Sequence, residues 1–204
     1  MSSGGNDSVA HRVVAAAARW GAAHRGVLVL AIDGHGGAGK TTIAAAVAAA
    51  TGAALVHTDD FFQPLQPRRP PGQRLDGYYD WRRLRAEALE PLRAQRAAVF
   101  RRFDWSSGTG LDGTVTVAPA ELIVVEGVFA AAPELSDLVD RSVLVRTPEP
   151  ERLGRLRLRV TPEEWDDDWL AAERAYFTAV RPPRSFDLVV AGTAGAACPA
   201  GTIA

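Results

Sequence analysis

Eight contiguous residues, Gly-His-Gly-Gly-Ala-Gly-Lys-Thr at 34–41, constrain this chain more than any other stretch. They fit the pattern G-x-x-x-x-G-K-[ST] without a gap. The apolar run VLVLAID (27–33) precedes them, and the alanine-rich TTIAAAVAAAT (41–51) follows. A buried strand, a glycine turn and a helix in that order make a cradle for phosphate. The glycines let the backbone wrap so that successive N–H groups face inward, and the helix adds its N-terminal dipole. Gly34, His35, Gly36, Gly37, Ala38, Gly39, Lys40, Thr41 and Thr42 are therefore expected to line a nucleotide. Lys40 should reach the β- and γ-phosphates, and the Thr41 hydroxyl should bind Mg²⁺. His35 occupies a variable position of the loop and reads as a spacer. ATP and Mg²⁺ are the implied cofactors; no guanine-reading Asn-Lys-x-Asp sequence is present.

The rest of the chain alternates short apolar runs with helical stretches. Residues 7–24 and 41–51 read as helices, as do 81–95, 148–160 and 165–180, with Asp80 capping the third and Pro91 bending it. Continuous apolar runs at 27–33, 53–58, 121–127, 142–147 and 186–192 read as buried strands. AVFRRFDW (98–105) suggests a further strand, with SSGTGLDG (106–113) a turn before TVTVAP. The prolines of 63–73 make a long loop. The fold class expected is α/β, a three-layer sandwich around a parallel sheet. Ligands of such a sheet sit at the carboxyl edge of its strands.

Two strands end in acids at that edge. HTDDFF (57–62) places Asp59 where a carboxylate can take a proton from an attacking hydroxyl or bind the metal through water. Glu126, after Leu-Ile-Val-Val, is the acid expected to help hold Mg²⁺, so Thr41, Glu126 and Asp59 are the candidate metal residues. Asp60 reads as a cap or surface group, and His57 as a strand residue with a satisfied hydrogen bond. In PERLGRLRLRV (150–160), Arg152, Arg155 and Arg159 share one sector of a helix at about 100° per residue. No acidic row compensates them on that face. They are expected to form a lid that neutralises the transferring phosphoryl. Trp165 and Trp169, four apart, read as staples between the lid's second helix and the body.

With these residues assembled, the chain resembles the uridine kinase and phosphoribulokinase-like P-loop kinases, closest to the small uridine-kinase-like proteins of actinobacteria. IDGHGGAGKTT, HTDDFF, GYYDW, FDW, VVEGVF, RLGRLRLRV and ERAYFTAVRP followed by FDLVV carry the resemblance, over most of residues 27–192. It implies that Asp59 is the catalytic base and that Lys40, Arg155 and Arg159 complete the catalytic set. It further implies that Phe62, Tyr79, Asp80, Phe103, Asp104, Trp105 and Arg152 contact the acceptor, with Asp80 on sugar hydroxyls. The implied acceptor is a nucleoside such as uridine or cytidine. The lid departs from the family's R-x-x-R-R-x-x-R-D, with Leu156 in place of one arginine and Val160 in place of the aspartate. After FDW no histidine or arginine is placed to read a pyrimidine edge. Kinases of another alcohol (pantothenate-like, sugar or antibiotic) and a nucleotide-binding switch stay open as alternatives.

Composition narrows the partners. A net charge of −1 and a pI of about 6.4 give no footprint for nucleic acid or an anionic membrane. No apolar run reaches the roughly 18 residues of a membrane span. Cys198 is the only cysteine, which points to a reducing cytoplasm. The expected organisation is an N-terminal helix packed on the core (1–26), a kinase domain (27–192, lid about 149–180) and a flexible tail (193–204). A small hydroxyl-bearing substrate is the expected partner, and a homo-oligomer is left open.

Overall fold

The computed structural model describes residues 4–63, 77–108, 110–158 and 167–192. Five parallel strands form the central sheet: β1 (Leu28–Asp33), β2 (Ala54–His57), β5 (Leu122–Glu126), β6 (Arg141–Arg146) and β7 (Leu188–Ala191). Their order is β2-β5-β1-β6-β7. The chain leaves β1 toward one edge, then crosses over it to build the other, so the carboxyl end of β1 lies at the reversal where ligands bind in such sheets.

Alternation along β1 explains the two layers. Leu30 and Ile32 face α1 (Gly4–Ala23) and α2 (Lys40–Thr51), packing with Val9, Val13, Ile43 and Val47. Val29 and Ala31 face the opposite layer, with Phe61, Leu84, Leu89, Phe129 and Tyr176. All six residues of β1 are buried, as a central strand covered on both sides requires. Gly52 ends α2 in the left-handed region, φ 70°, its N–H bonded to the Ala48 carbonyl.

The structure corrects the sequence expectation in several places. β2 and β7 are half-buried, not buried, because they are the two edges of the sheet; Val189 is 38% exposed. The strand at 98–105 stops at Phe103 and pairs antiparallel with β4 (Leu111–Val117) in a separate two-stranded sheet. β3 (Ala98–Phe103) and β4 therefore do not join the parallel sheet. β4 starts inside the expected turn, because the ladder continues past a register shift between Arg101 and Arg102.

The helix from Trp81 is not a kinked α-helix. α3 (Trp81–Arg83) runs through a π-helical stretch, Leu84–Leu89, into α4 (Glu90–Arg93). Glu90 donates to the Arg85 carbonyl five residues back. Pro91 has no N–H to continue the ordinary ladder, and the wider turn absorbs the missing bond.

The lid begins with α5 (Glu149–Arg157) and resumes with α6 (Asp167–Ala175), which continues as a π turn, Tyr176–Val180. The expectations at Arg159, Val160, Trp165, Cys198, the tail 193–204 and the proline-rich loop from residue 64 lie outside the described residues. Where that loop leaves and returns, its ends are paired: Gln63 donates to Tyr78 O, and Asp80 donates to Phe61 O. No helix among the described residues is long and apolar enough to cross a membrane.

Candidate active site

The glycine loop leaves β1 at Asp33, whose buried carboxylate organises everything around it. Oδ1 accepts from the amides of Gly34 (2.7 Å) and Phe129 (2.9 Å). Oδ2 accepts from the Ala131 amide (3.0 Å) and the Tyr176 hydroxyl (2.8 Å). Burial raises its pKa, and the Ala131, Tyr176 and Gly34 donors and the charge of Lys40 work against that rise. One acid thereby ties together the start of the loop, the turn after β5 and the end of the lid. Phe129 takes the uncommon φ of 66° within this arrangement. Sequence reasoning passed over Asp33, although an acid closing a fully apolar strand was a signal that could have found it.

Within the loop, Gly37 (φ 73°) and Gly39 (φ 94°) use left-handed backbone. At Gly37 the need is double, because a Cβ there would meet the Arg152 carbonyl oxygen at 2.5 Å. Lys40 opens α2 and is the only lysine in the chain. It is buried, and its ammonium donates to His35 O within the loop at 3.0 Å. Ala38 O accepts from the Thr147 hydroxyl at 2.9 Å. Thr41 and Thr42 are exposed on the first turn of α2. His35 stacks on Phe177, ring centroids 4.2 Å apart. Burial first, then Arg152, Lys40, Arg146 and Arg174, push its pKa down to about 3, so the imidazole is neutral.

The two strand-end acids come together as β2 and β5 are neighbours. His57 lies in register with Glu126. Glu126 Oε1 accepts from the Thr41 hydroxyl at 3.1 Å and sits 2.6 Å from His57 Nδ1. Its Oε2 is buried with no hydrogen-bond partner among the described residues. Just beyond, the turn Thr58–Phe61 presents Asp59, which accepts from the Tyr79 hydroxyl at 2.9 Å. Desolvation first, then the charge of Glu126, raise the Asp59 pKa to about 6; Lys40, Tyr79 and His57 oppose the rise. A Cβ on Gly127 would collide with Thr58 Oγ1, so a glycine is what lets the ends of β2 and β5 approach this closely. Asp60 is not a surface group. It is buried, facing Arg102 at 3.7 Å, and burial raises its pKa.

The residues expected to contact the acceptor form a cluster of rings. Phe62 has Phe103 at 5.1 Å, Trp105 at 4.8 Å, Tyr79 at 5.8 Å and Trp169 at 6.5 Å. Phe103 and Tyr79 are buried, whereas Trp105 is 39% exposed. Asp80 caps α3 by accepting from the Arg83 amide at 3.0 Å. Asp104 turns away from the ladder and accepts from the hydroxyls and amides of Ser106 and Ser107, which hold its pKa down to about 2. These two carboxylates already serve their own backbone turns.

The arginine lid differs from its expectation. Acidic partners do compensate it: Arg152 pairs with Glu173 (3.2 Å) and Glu149 (3.3 Å), and Arg155 lies 3.6 Å from Glu151. Glu149 and Glu151 are local partners three and four residues away within α5, whereas Glu173 arrives from α6 and is brought in only by tertiary packing. Arg152 and Glu173 are both buried, and the carboxylate also accepts from the Gly36 amide (2.7 Å) and Trp169 Nε1 (2.9 Å). Arg155 Nη1 donates to Gly37 O at 3.0 Å. α5 and α6 thus rest directly on the glycine loop. A cleft of about 290 Å³ beside His35, lined also by Arg146, Arg174 and Phe177, is reached by none of Asp59, Lys40, Thr41 or Glu126.

What the arrangement can hold follows from its donors. No group of three or more His, Cys, Asp or Glu side chains among the described residues makes a metal cage. The Thr41 hydroxyl and the unpartnered Glu126 oxygen are hard oxygen donors, and Mg²⁺ suits such sparse sets because it keeps waters and nucleotide oxygens as its other ligands.

No family model matches the chain. Among curated proteins it is 28% identical over 163 residues to a uridine kinase of Macrococcus caseolyticus, covering 76% of this chain and 78% of that one. A uridine kinase of Ureaplasma parvum is 25% identical over 142 residues, covering 65% and 68%. Among solved structures, one described as a possible uridine kinase from Bacillus stearothermophilus superposes with a TM-score of 0.63 at 22% identity, covering 81% and 89%. A candidate fructose transport system kinase from Silicibacter sp. TM1040 gives 0.55 at 23%, covering 82% and 91%. In sequence the chain is similar to the uridine kinases over most of its length, and its fold is that of uridine-kinase-like P-loop kinases.

Proposed function

We propose that the protein is an ATP- and Mg²⁺-dependent kinase that transfers the γ-phosphoryl group to a hydroxyl of a small metabolite, with nucleosides such as uridine or cytidine as the leading acceptors. The observation that carries this reading is Asp59: a desolvated carboxylate with a pKa of about 6, close enough to Lys40 and Glu126 for their charges to move it. A general base is most effective when its pKa lies near the working pH.

In this reading the loop amides and Lys40 bind the β- and γ-phosphates, and Lys40 exchanges its bond to His35 O for them. Thr41 and Glu126, with Asp59 nearby, hold Mg²⁺, which supplies charge neutralisation on the phosphates. Asp59 accepts the proton of the acceptor hydroxyl as that oxygen bonds to the γ-phosphorus and the bond to the bridging oxygen of ADP breaks. Tyr79 fixes the Asp59 carboxylate by its hydrogen bond. Arg155, held at the Gly37 carbonyl, neutralises the transferring group, with Arg159 assigned the same task. Phe62, Phe103 and Trp105 wall the acceptor, and Asp80 and Asp104 offer it their remaining lone pairs.

Replacing Asp59 by Asn tests the reading. Turnover should fall by about 10²–10⁴-fold while ATP binding, followed by fluorescence of a labelled nucleotide, stays intact; an unchanged kcat rejects it. A second acceptor class, sugar-like alcohols, is favoured by the likeness to the Silicibacter protein. Initial-rate ADP release across nucleosides, sugars and pantothenate-like alcohols separates the two. ATP turnover that no acceptor stimulates would instead favour a nucleotide-binding switch.

A further inference from the structure

His57 is a polar side chain beside the strand-end acids to which the reading above gives no role. It closes β2, in register with Glu126 at the end of β5, so the two side chains leave adjacent parallel strands on the same face. Its Nδ1 stands 2.6 Å from Glu126 Oε1, the shortest side-chain contact among the groups around Asp59. The same oxygen accepts from Thr41 Oγ1 at 3.1 Å. The other oxygen, Oε2, is buried and has no partner among the described residues. A carboxylate gripped twice through one oxygen cannot rotate freely, and its second oxygen then points in a fixed direction. Leaving that oxygen buried and unmatched costs stability unless a ligand completes it.

We propose that His57 is a positioning residue for the cation: its Nδ1–H locks one oxygen of Glu126 so that the other is presented to Mg²⁺ or to a water on it. The inference rests on the reading of Glu126 as a metal residue. His57 is not itself a ligand, because Nδ1 is committed to the carboxylate and Mg²⁺ prefers oxygen. Thr41 completes the chain. A hydroxyl binds a cation through its lone pair and still donates its proton to Oε1, so the histidine, the glutamate and the threonine act as one unit. Such outer partners commonly set metal affinity without touching the ion.

The experiment measures Mg²⁺-dependent binding of a fluorescent ATP analogue to the full chain, with no acceptor and no turnover. His57→Leu removes the donor and should raise the half-saturating Mg²⁺ concentration by about 10–100-fold. His57→Asn, whose amide reaches the place of Nδ1, should stay within a few-fold of wild type. His57→Gln, whose amide reaches the place of Nε2, should behave like His57→Leu. Affinity for the analogue in EDTA should be the same in all of them, which a merely structural role of the ring would not produce. If His57→Leu does not fold, the Asn and Gln variants decide alone, and equal Mg²⁺ responses in those two overturn the inference. Glu126→Gln separates the levels. A wild-type Mg²⁺ response in that variant removes the metal role of Glu126 and this inference with it. A defective Glu126→Gln beside an unaltered His57→Leu removes the inference only.

Discussion

The two halves of the candidate site are built from different materials. On the side of the glycine loop the groups are main-chain amides and charges held by polar partners: Asp33 by four donors, Glu173 by Gly36, Trp169 and Arg152, and the partly buried Arg155 by Gly37 O, with Glu126 Oε2 the exception that has no partner among the described residues. On the side proposed for the acceptor the surface is made of rings, with Phe62 at the centre of Phe103, Trp105, Tyr79 and Trp169. Polar matching in a low-dielectric interior is directional and leaves little freedom. Ring packing tolerates different shapes provided the area is covered. Under the proposed function, the contrast would join directional phosphate-binding groups to a more tolerant acceptor wall.

Substitutions can break or sharpen that contrast. The largest effect is expected at Asp59, where the two halves meet. Beyond the loss of turnover in Asp59→Asn, kcat/KM of the wild type should fall below about pH 6 as the carboxylate takes up a proton, and the variant should lack that limb. Next comes the buried ion pair of the nucleotide side. Glu173→Ala strands Arg152 without its buried partner, and unfolding by denaturant should show a loss of about 3–5 kcal/mol. Glu173→Gln keeps an amide oxygen to accept from Gly36 and Trp169 and should lose less.

Trp105→Ala probes the acceptor wall, at a residue whose exposure allows removal without opening the core. It should raise the acceptor KM by an amount worth about 1–3 kcal/mol, the scale of a base stacked on an aromatic ring. KM for ATP should stay put, and equal changes in both constants would contradict the division into halves. The smallest effect is expected from Tyr79→Phe. The lost hydrogen bond had been lowering the Asp59 pKa, so the acid limb of kcat/KM should move to higher pH while the rate at pH 8 changes little.

Legibility in the sequence followed the same division. The phosphate loop could be read because its geometry is encoded locally, in glycines that supply left-handed backbone and in a lysine and threonine that open the next helix. The sheet could be read from runs such as Leu28–Asp33 and Leu122–Glu126, whose unbroken apolar character only a strand covered on both faces can use. The edges could not, because β2 and β7 look the same in composition and differ only in having one neighbour. For the hairpin β3–β4 the first strand and the turn were legible, but its separation from the parallel sheet was not, since that depends on partners rather than on its own pattern. Asp80 reads from the sequence as the helix cap that it is, whereas Asp60 and Asp104 show the same limit. Adjacent or motif-like acids look alike in a string of letters, and their surroundings divide them into buried and turn-holding groups.

By itself, then, the sequence determined a nucleotide cradle on a parallel α/β sheet and placed acids at the strand ends beside it. Only the tertiary structure decided how the charges are spent. Glu173 reaches Gly36 across 137 positions, and Glu126 reaches His57 across 69. The physical reason is range: a turn or a helix start is fixed by neighbours in sequence, whereas a buried charge finds its counter-charge only after the elements that carry both have packed.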